Sequence, residues 1–348
     1  MYSYQDIALP LAWPDQTARG DELWMAILKK IGIVKNLNFK VGHAAIVLIE
    51  RKTGELRYFD FGRYLTPRGF GRARSAMFDP RLELHTIARF DSEGKLTNLE
   101  EILQELKSKE SATHGGGMLL CSLAYGISFQ KAAAFAETLV DKGPVLYGAL
   151  APSNNSCSRY VAQILCEGMP KDDGRIYKIL YPESLKASPT SNVVNASSEN
   201  SIIRYQENEI NHWNLNRWDS LKYQIQILKA NFSKSASKDL PDDGRLGHIH
   251  EPLRPAHIPK EAQWLGGLGE GAWYYLGKTG MTFEVYKFDY LGNLEYQVQA
   301  LPDQMFSYDL PYEFTFDIHN NKHVLKQSNQ QIIFKSINMA EDAIKKSI

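Results

Sequence analysis

The sequence predicts an α+β protein, with a mixed N-terminal unit of antiparallel strands and helices followed by a small C-terminal antiparallel β module. Three observations carry this. Val41–Ile49 is a short apolar run rich in branched residues, and the turn Lys52-Thr53-Gly54-Glu55 returns it as a second strand, Leu56–Phe61. Several stretches of the first half repeat apolar residues at helical spacing, among them Asn98–Lys109 and the alanine-rich Phe129–Val140. Beyond residue 272 the helical spacing gives way to short alternating runs separated by Gly, Asn, Asp and Pro.

In chain order, Leu9–Asp15 reads as an irregular arm, and Asp21-Glu22 opens a helix with a Leu23, Ile27, Ile31 stripe. The His43 strand and its hairpin partner follow. Gly62–Arg74 is a loop with four arginines and three glycines, either a segment that binds a carboxylate or phosphate or a solvated connection. Leu82–Ala88 alternates as a half-buried strand, and its His85 is read as structural. Ser, Asn, Pro and Ala replace core residues over 187–201, a linker composition; Ile202–Phe232 is then expected to be helical, and Ser233–Asp243 is a second polar linker. The strands expected in the last part are Trp273–Leu276, Thr282–Phe288, Leu294–Ala300, Tyr312–Ile318 and Gln331–Ile337, with Tyr290-Leu291-Gly292-Asn293 as a hairpin turn. This divides the chain into 1–186, a linker and helical segment 187–243, and a β module 244–348.

The chemistry centres on Asn154–Leu165. Small polar residues lead into an amphipathic helix in which Tyr160, Val161, Ile164 and Leu165 share a face, so Cys157 falls in the first turn. Unpaired N–H groups and the helix dipole there favour thiolate over thiol. A lone cysteine is also compatible with a small buried hydrophobe. The candidate base is His43, behind Gly42 and beside Ala44 and Ala45, where small neighbours leave room for an approaching helix end. On the return strand Tyr58 and Asp60 share a face, and Asp60 is placed either to orient His43 or to pair with Arg63. Arg63, Arg68, Arg72 and Tyr58 are the candidate substrate-binding residues.

A Gly-His-small-small strand, a polar residue on the next strand and a later Asn/Ser-Cys-x-x-Tyr helix start together resemble the circularly permuted NlpC/P60 group of papain-like thiol enzymes. The resemblance covers roughly Val41 to Gly168. It implies a permuted papain-like core with Cys157 as nucleophile, His43 as base and Asp60 as the third polar position. The implied activity is that of a cysteine peptidase, amidase or acyl transferase, with no cofactor. Ser158-Arg159 after the cysteine departs from the lipid acyltransferase branch of that group.

Other features narrow the choice. With 40 basic and 40 acidic residues there is no nucleic-acid footprint. No apolar run spans a membrane, Met1–Asp15 lacks the form of a signal peptide, and three cysteines make no disulfide framework, so a cytoplasmic setting is expected. His114-Gly115-Gly116-Gly117 has the letters of an oxyanion loop but no nucleophile elbow accompanies it. His248, His250 and His257 have no partner at diagnostic metal spacing, so no metal is expected. The partner is therefore a small-molecule, peptide or glycan substrate with an amide or ester bond. The alternatives are a catalytically inactive binding module for a peptide or glycan and a metal-binding protein.

Overall fold

A computed structural model describes residues 2–20, 23–33, 36–148, 153–199, 201–231 and 249–337. The first unit is built on a nine-stranded antiparallel sheet whose central strand is Asp6–Trp13. On one side lie His43–Ile49, Leu56–Gly62, Phe70–Arg74 and Val145–Leu146; on the other lie Leu119–Cys121, Ser201–Gln206 and Glu209–Asn214, with Ala124–Ile127 also paired to the centre. Period-two alternation splits the buried side chains between two layers. Ala44, Ile46 and Leu48 pack under the helices Phe129–Asp141 and Cys157–Gly168, while Ala45, Val47 and Ile49 pack under Leu99–Ser108.

The supposed arm at Leu9–Asp15 is thus largely the central strand. Pro10 disguised it, because proline has no N–H for a ladder. One neighbour pairs through Asp6–Ala8 and another through Leu11–Ala12, so Pro10 falls in the gap between them. Two further expectations are corrected. Leu82–Ala88 forms no ladder strand; the backbone N–H groups of His85 and Thr86 donate to the Glu105 carboxylate instead. Residues 202–232 are not one helix but a hairpin added to the first sheet, followed by the helix Arg217–Ala230.

The polar stretch near 187–201 contains a buried helix, Pro189–Ala196, opened by a Ser188/Ser191 capping box. Its polar side chains bond inside the protein: Asn192 donates to the Ser158 carbonyl at 2.7 Å and Asn195 to Glu183 at 2.9 Å.

The C-terminal module is a seven-stranded antiparallel sheet in the order Gln263–Leu265, Ala272–Thr279, Thr282–Phe288, Leu294–Pro302, Gln330–Ser336, Lys322–Gln327 and Glu313–His319. The Gln263 side chain bonds Tyr312 and Phe314, drawing its two edges together. The module rests on the loop that follows the Asp60 strand. The Gly269 N–H donates to the Arg63 carbonyl at 2.8 Å, and a Cβ at Gly269 would lie 2.4 Å from that oxygen, so only glycine fits. Arg72 crosses the junction to the Ile318 carbonyl at 2.8 Å, and Arg81 pairs with Glu295. One hydrophobic cluster, including Phe61, Leu65, Leu276 and Phe283, runs through both units.

Candidate active site

Two elements converge on the site. The helix Cys157–Gly168 starts at Ser156, whose side chain accepts from the Arg159 N–H, so Cys157 is the first helical residue. Asn155 steadies the approach by accepting from the Ser156 N–H at 2.9 Å. Opposite, Gly42 turns the chain with φ +75 immediately before the strand His43–Ile49, a conformation that favours glycine. His43 is thereby paired in register with Trp13 and stacks on its indole, ring centroids 5.7 Å apart and 17° from parallel.

These elements bring Cys157 and His43 close enough for each to shift the other's titration. His43 Nε2 faces Asp60 Oδ2 at 3.6 Å, too long for a full hydrogen bond, and the Tyr64 hydroxyl bridges the gap. That hydroxyl lies 2.8 Å from Asp60 and 3.4 Å from His43 Nε2. With Nε2 turned to this group, Nδ1 is the nitrogen left for the thiol.

Asp60 is fully buried and held from several sides. Arg74 sits opposite it in register and donates to both carboxylate oxygens, at 3.0 and 2.6 Å, and the Tyr58 hydroxyl donates at 3.0 Å. Burial alone would raise the Asp60 pKa, but the Arg74 guanidinium and the contact with His43 outweigh it and hold the carboxyl well below the usual range. For His43, burial favours the neutral ring, yet the contacts with Asp60 and Cys157 prevail and raise its pKa to about 9. Burial likewise opposes a thiolate at Cys157. Its hydrogen bond to His43, the imidazolium charge and a backbone bond from Ala44 bring the thiol pKa below its ordinary value. Cys121 and Cys166, lacking such partners, are pushed the other way by burial, Cys166 to about 11.

The expected substrate-binding set divides. Tyr58 is buried and spends its hydroxyl on Asp60. Arg72 is fully buried and donates to the Leu65 and Ile318 carbonyls, so it locks the junction between the units and cannot meet a ligand from solvent. Arg63 donates to the Arg19 carbonyl, with its guanidinium 4.3 Å from the centre of the Tyr147 ring, and Arg68 is exposed. Asp60 therefore pairs with Arg74, not Arg63. Sequence reasoning passed over Tyr64, Arg74 and Trp13. Arg74 carried a signal in the arginine-rich stretch Gly62–Arg74, read as a loop but ending in the strand Phe70–Arg74, whereas the Trp13 contact needed the pairing that Pro10 concealed.

Cys157 opens on a cavity of about 610 Å³, bounded by Val41, Gly42 and Tyr147, by 183–190 and by the helix Arg217–Ala230. No group of three metal-ligating side chains occurs among the described residues. His257 bonds the Gly292 carbonyl, His250 is exposed, and His248 lies outside the described residues. No helix among them is long and apolar enough to cross a membrane.

Residues 8–173 match the family model of type VI secretion system effectors that are TseH-like, and residues 262–337 match the DUF6695 C-terminal domain. Among solved structures, the crystal structure of the type VI secretion system effector TseH is similar. It is 19% identical, the alignment covers 60% of this chain and 98% of that one, and the TM-score is 0.41. No curated protein matches the chain. The expected membership of the permuted NlpC/P60 group is corrected by the family-model match, since His43 and Cys157 both lie within the stretch that matches the TseH-like model. A glycine-histidine strand and a polar-cysteine helix start describe how an imidazole meets a thiol, and motifs that short do not single out one family.

Proposed function

We propose that the protein is a cysteine hydrolase acting on an amide or ester. The observation that supports this most directly is the placing of Cys157 at a helix start, lining a cavity, beside a His43 ring that faces the buried Asp60 at 3.6 Å, an arrangement that displaces the His43 pKa upward and that of Cys157 downward. Both displacements favour the thiolate–imidazolium form of the pair. The Cys157 sulfur attacks the substrate carbonyl carbon, and the first free N–H groups of its helix receive the developing oxyanion. Collapse of the tetrahedral intermediate breaks the C–N or C–O bond. The leaving group takes the imidazolium proton, and the acyl group remains on sulfur as a thioester. His43 then deprotonates water, which attacks the thioester to release the carboxylic acid and restore the thiolate–imidazolium pair. Asp60 holds the ring through the Tyr64 bridge, and Arg63, stacked against cavity-lining Tyr147, is the expected arginine best placed to meet substrate.

The effector description attached to residues 8–173 supports delivery by a type VI secretion system, which replaces the expected cytoplasmic setting. The test is labelling by an electrophilic thiol probe at neutral pH. Wild type is expected to react at Cys157 with a rate well above that of Cys121 and Cys166, and Cys157→Ala to lose that reaction together with all hydrolysis. Equal labelling of the three cysteines would remove the hydrolase reading.

A further inference from the structure

We infer that the substrate carries a long aliphatic acyl chain, which lies in the cavity beside Cys157. This rests on the hydrolase reading and specifies its substrate. The cavity volume, about 610 Å³, is within the range of roughly 300–1,000 Å³ usual for small-molecule sites. Its chemistry is what distinguishes it. From the helix Arg217–Ala230 the lining takes Leu221, Ile225 and Leu228, at i, i+4 and i+7, with Ile227 and the polar Gln224 beside them, so a mainly apolar face meets the cavity. Two members of that face remain uncovered by protein, Ile225 at 41% exposure and Leu228 at 50%. Leu185, fully exposed, and Val41, at 40% exposure, also line the cavity.

Apolar side chains clustered around one opening, next to a nucleophile, mark a ligand site more than an ordinary surface. Charge is nearly absent from the walls. Besides Cys157 and the neutral phenol of Tyr147, the ionisable lining residues are Glu183 and Lys186. Glu183 is neutralised by Arg217 at 3.6 Å and bonded by Asn195 and Ser220, and Lys186 also has a partner. The hydroxyls of Ser156, Ser158, Ser184, Ser188 and Thr190 and the Gln224 amide offer polar contacts at places in the wall, but most of its surface is apolar, so methylene groups gain by burial while a charged or heavily hydroxylated ligand leaves much of its hydration unreplaced. With the chain in the cavity, the carbonyl carbon meets the Cys157 sulfur, the alcohol or amine departs with the His43 proton, and water releases the fatty acid from the thioester.

The experiment measures kcat/KM on the full chain for p-nitrophenyl esters from acetate to dodecanoate, each below its micelle-forming concentration. In parallel, release of fatty acid from phosphatidylglycerol vesicles is followed. In one arm or the other activity is expected: either a rise of roughly two- to fourfold per methylene until the cavity is filled, or release from the bilayer lipid. The first result identifies a soluble acyl compound and the second a membrane lipid. Leu228→Asp and Ile225→Asp, both at half-exposed positions, are each expected to lower the octanoate-to-acetate ratio at least tenfold. A flat or falling series with Cys157 still acylated and the vesicles untouched, or a rise along the series or a release from vesicles that neither variant lowers, overturns the acyl-chain inference and leaves the hydrolase reading standing. Failure of every ester and lipid to acylate Cys157 overturns both.

Discussion

His43 in the first sheet, half-buried, and His323 in the second, fully buried, are both strand histidines touching a tyrosine hydroxyl, yet they titrate in opposite directions. His323 lies 2.9 Å from the Tyr296 hydroxyl, with no carboxylate beside it and its Nδ1 without a partner. Burial, helped by the positive charges of His319 and Lys287, lowers its pKa to about 3. His43 is raised to about 9 although burial pulls the same way. A tyrosine and a dry environment thus make an inert neutral ring. What converts such a ring into a proton donor is the Asp60 charge, itself kept ionised by Arg74.

Removing that charge is expected to break the contrast most strongly. Asp60→Asn leaves the ring stacked on Trp13 but without its counter-charge, and turnover should fall by roughly 10²–10⁴-fold. The pH profile should change shape as well. In wild type the acid limb reports protonation of the thiolate and the alkaline limb loss of the imidazolium proton near pH 9, both being properties of the pair. In Asp60→Asn the alkaline limb should move down toward about 6.5, the unperturbed histidine value. An alkaline limb that stays in place would mean that Asp60 does not set the His43 charge.

Tyr64→Phe sharpens the comparison by removing the bridge while keeping the carboxylate. Arg74 and Tyr58 still hold Asp60, so the loss should be about tenfold in kcat with little change in KM, in line with one hydrogen bond to a charged group. A loss confined to KM would place Tyr64 in substrate binding instead.

The smallest effect is expected on the inert side. Below about pH 6.5 the unfolded chain protonates His323, while the folded chain does so only near pH 3, so this group's burial costs stability progressively as pH falls through that window. His323→Gln should therefore flatten the acid loss of Tm relative to wild type by a few degrees, with turnover at neutral pH unaltered. Parallel Tm curves for the two proteins from pH 7 to 4 would show that His323 does not titrate as described.

Much of the site was legible because its determinants are local. A cap followed by an amphipathic stretch put Cys157 at a helix start, Gly42 before a branched run opened the His43 strand, and period two set Tyr58 and Asp60 on one face. Most strands of the second sheet were legible too, since alternation and turn residues specify them. What escaped depends on partners remote in sequence. The Trp13 contact needed the Asp6–Trp13 pairing that Pro10 disguised. The Ser and Asn residues near 190 looked like a linker because their acceptors, Ser158 and Glu183, lie elsewhere in the chain. Arg72 looked substrate-facing because the carbonyl that accepts its hydrogen bond belongs to Ile318, 246 residues away. The family was misread for a related reason: short motifs carry chemistry but little lineage.

The central claim is that the His43 imidazolium activates Cys157, and the rate of iodoacetamide alkylation against pH tests it most directly. Wild-type Cys157 should titrate below the free thiol value of about 8.5. In His43→Ala only the helix dipole remains, worth roughly 0.3–1 kcal/mol, and the apparent pKa should rise to within one unit of that value. Superimposable curves for wild type and His43→Ala would contradict the account.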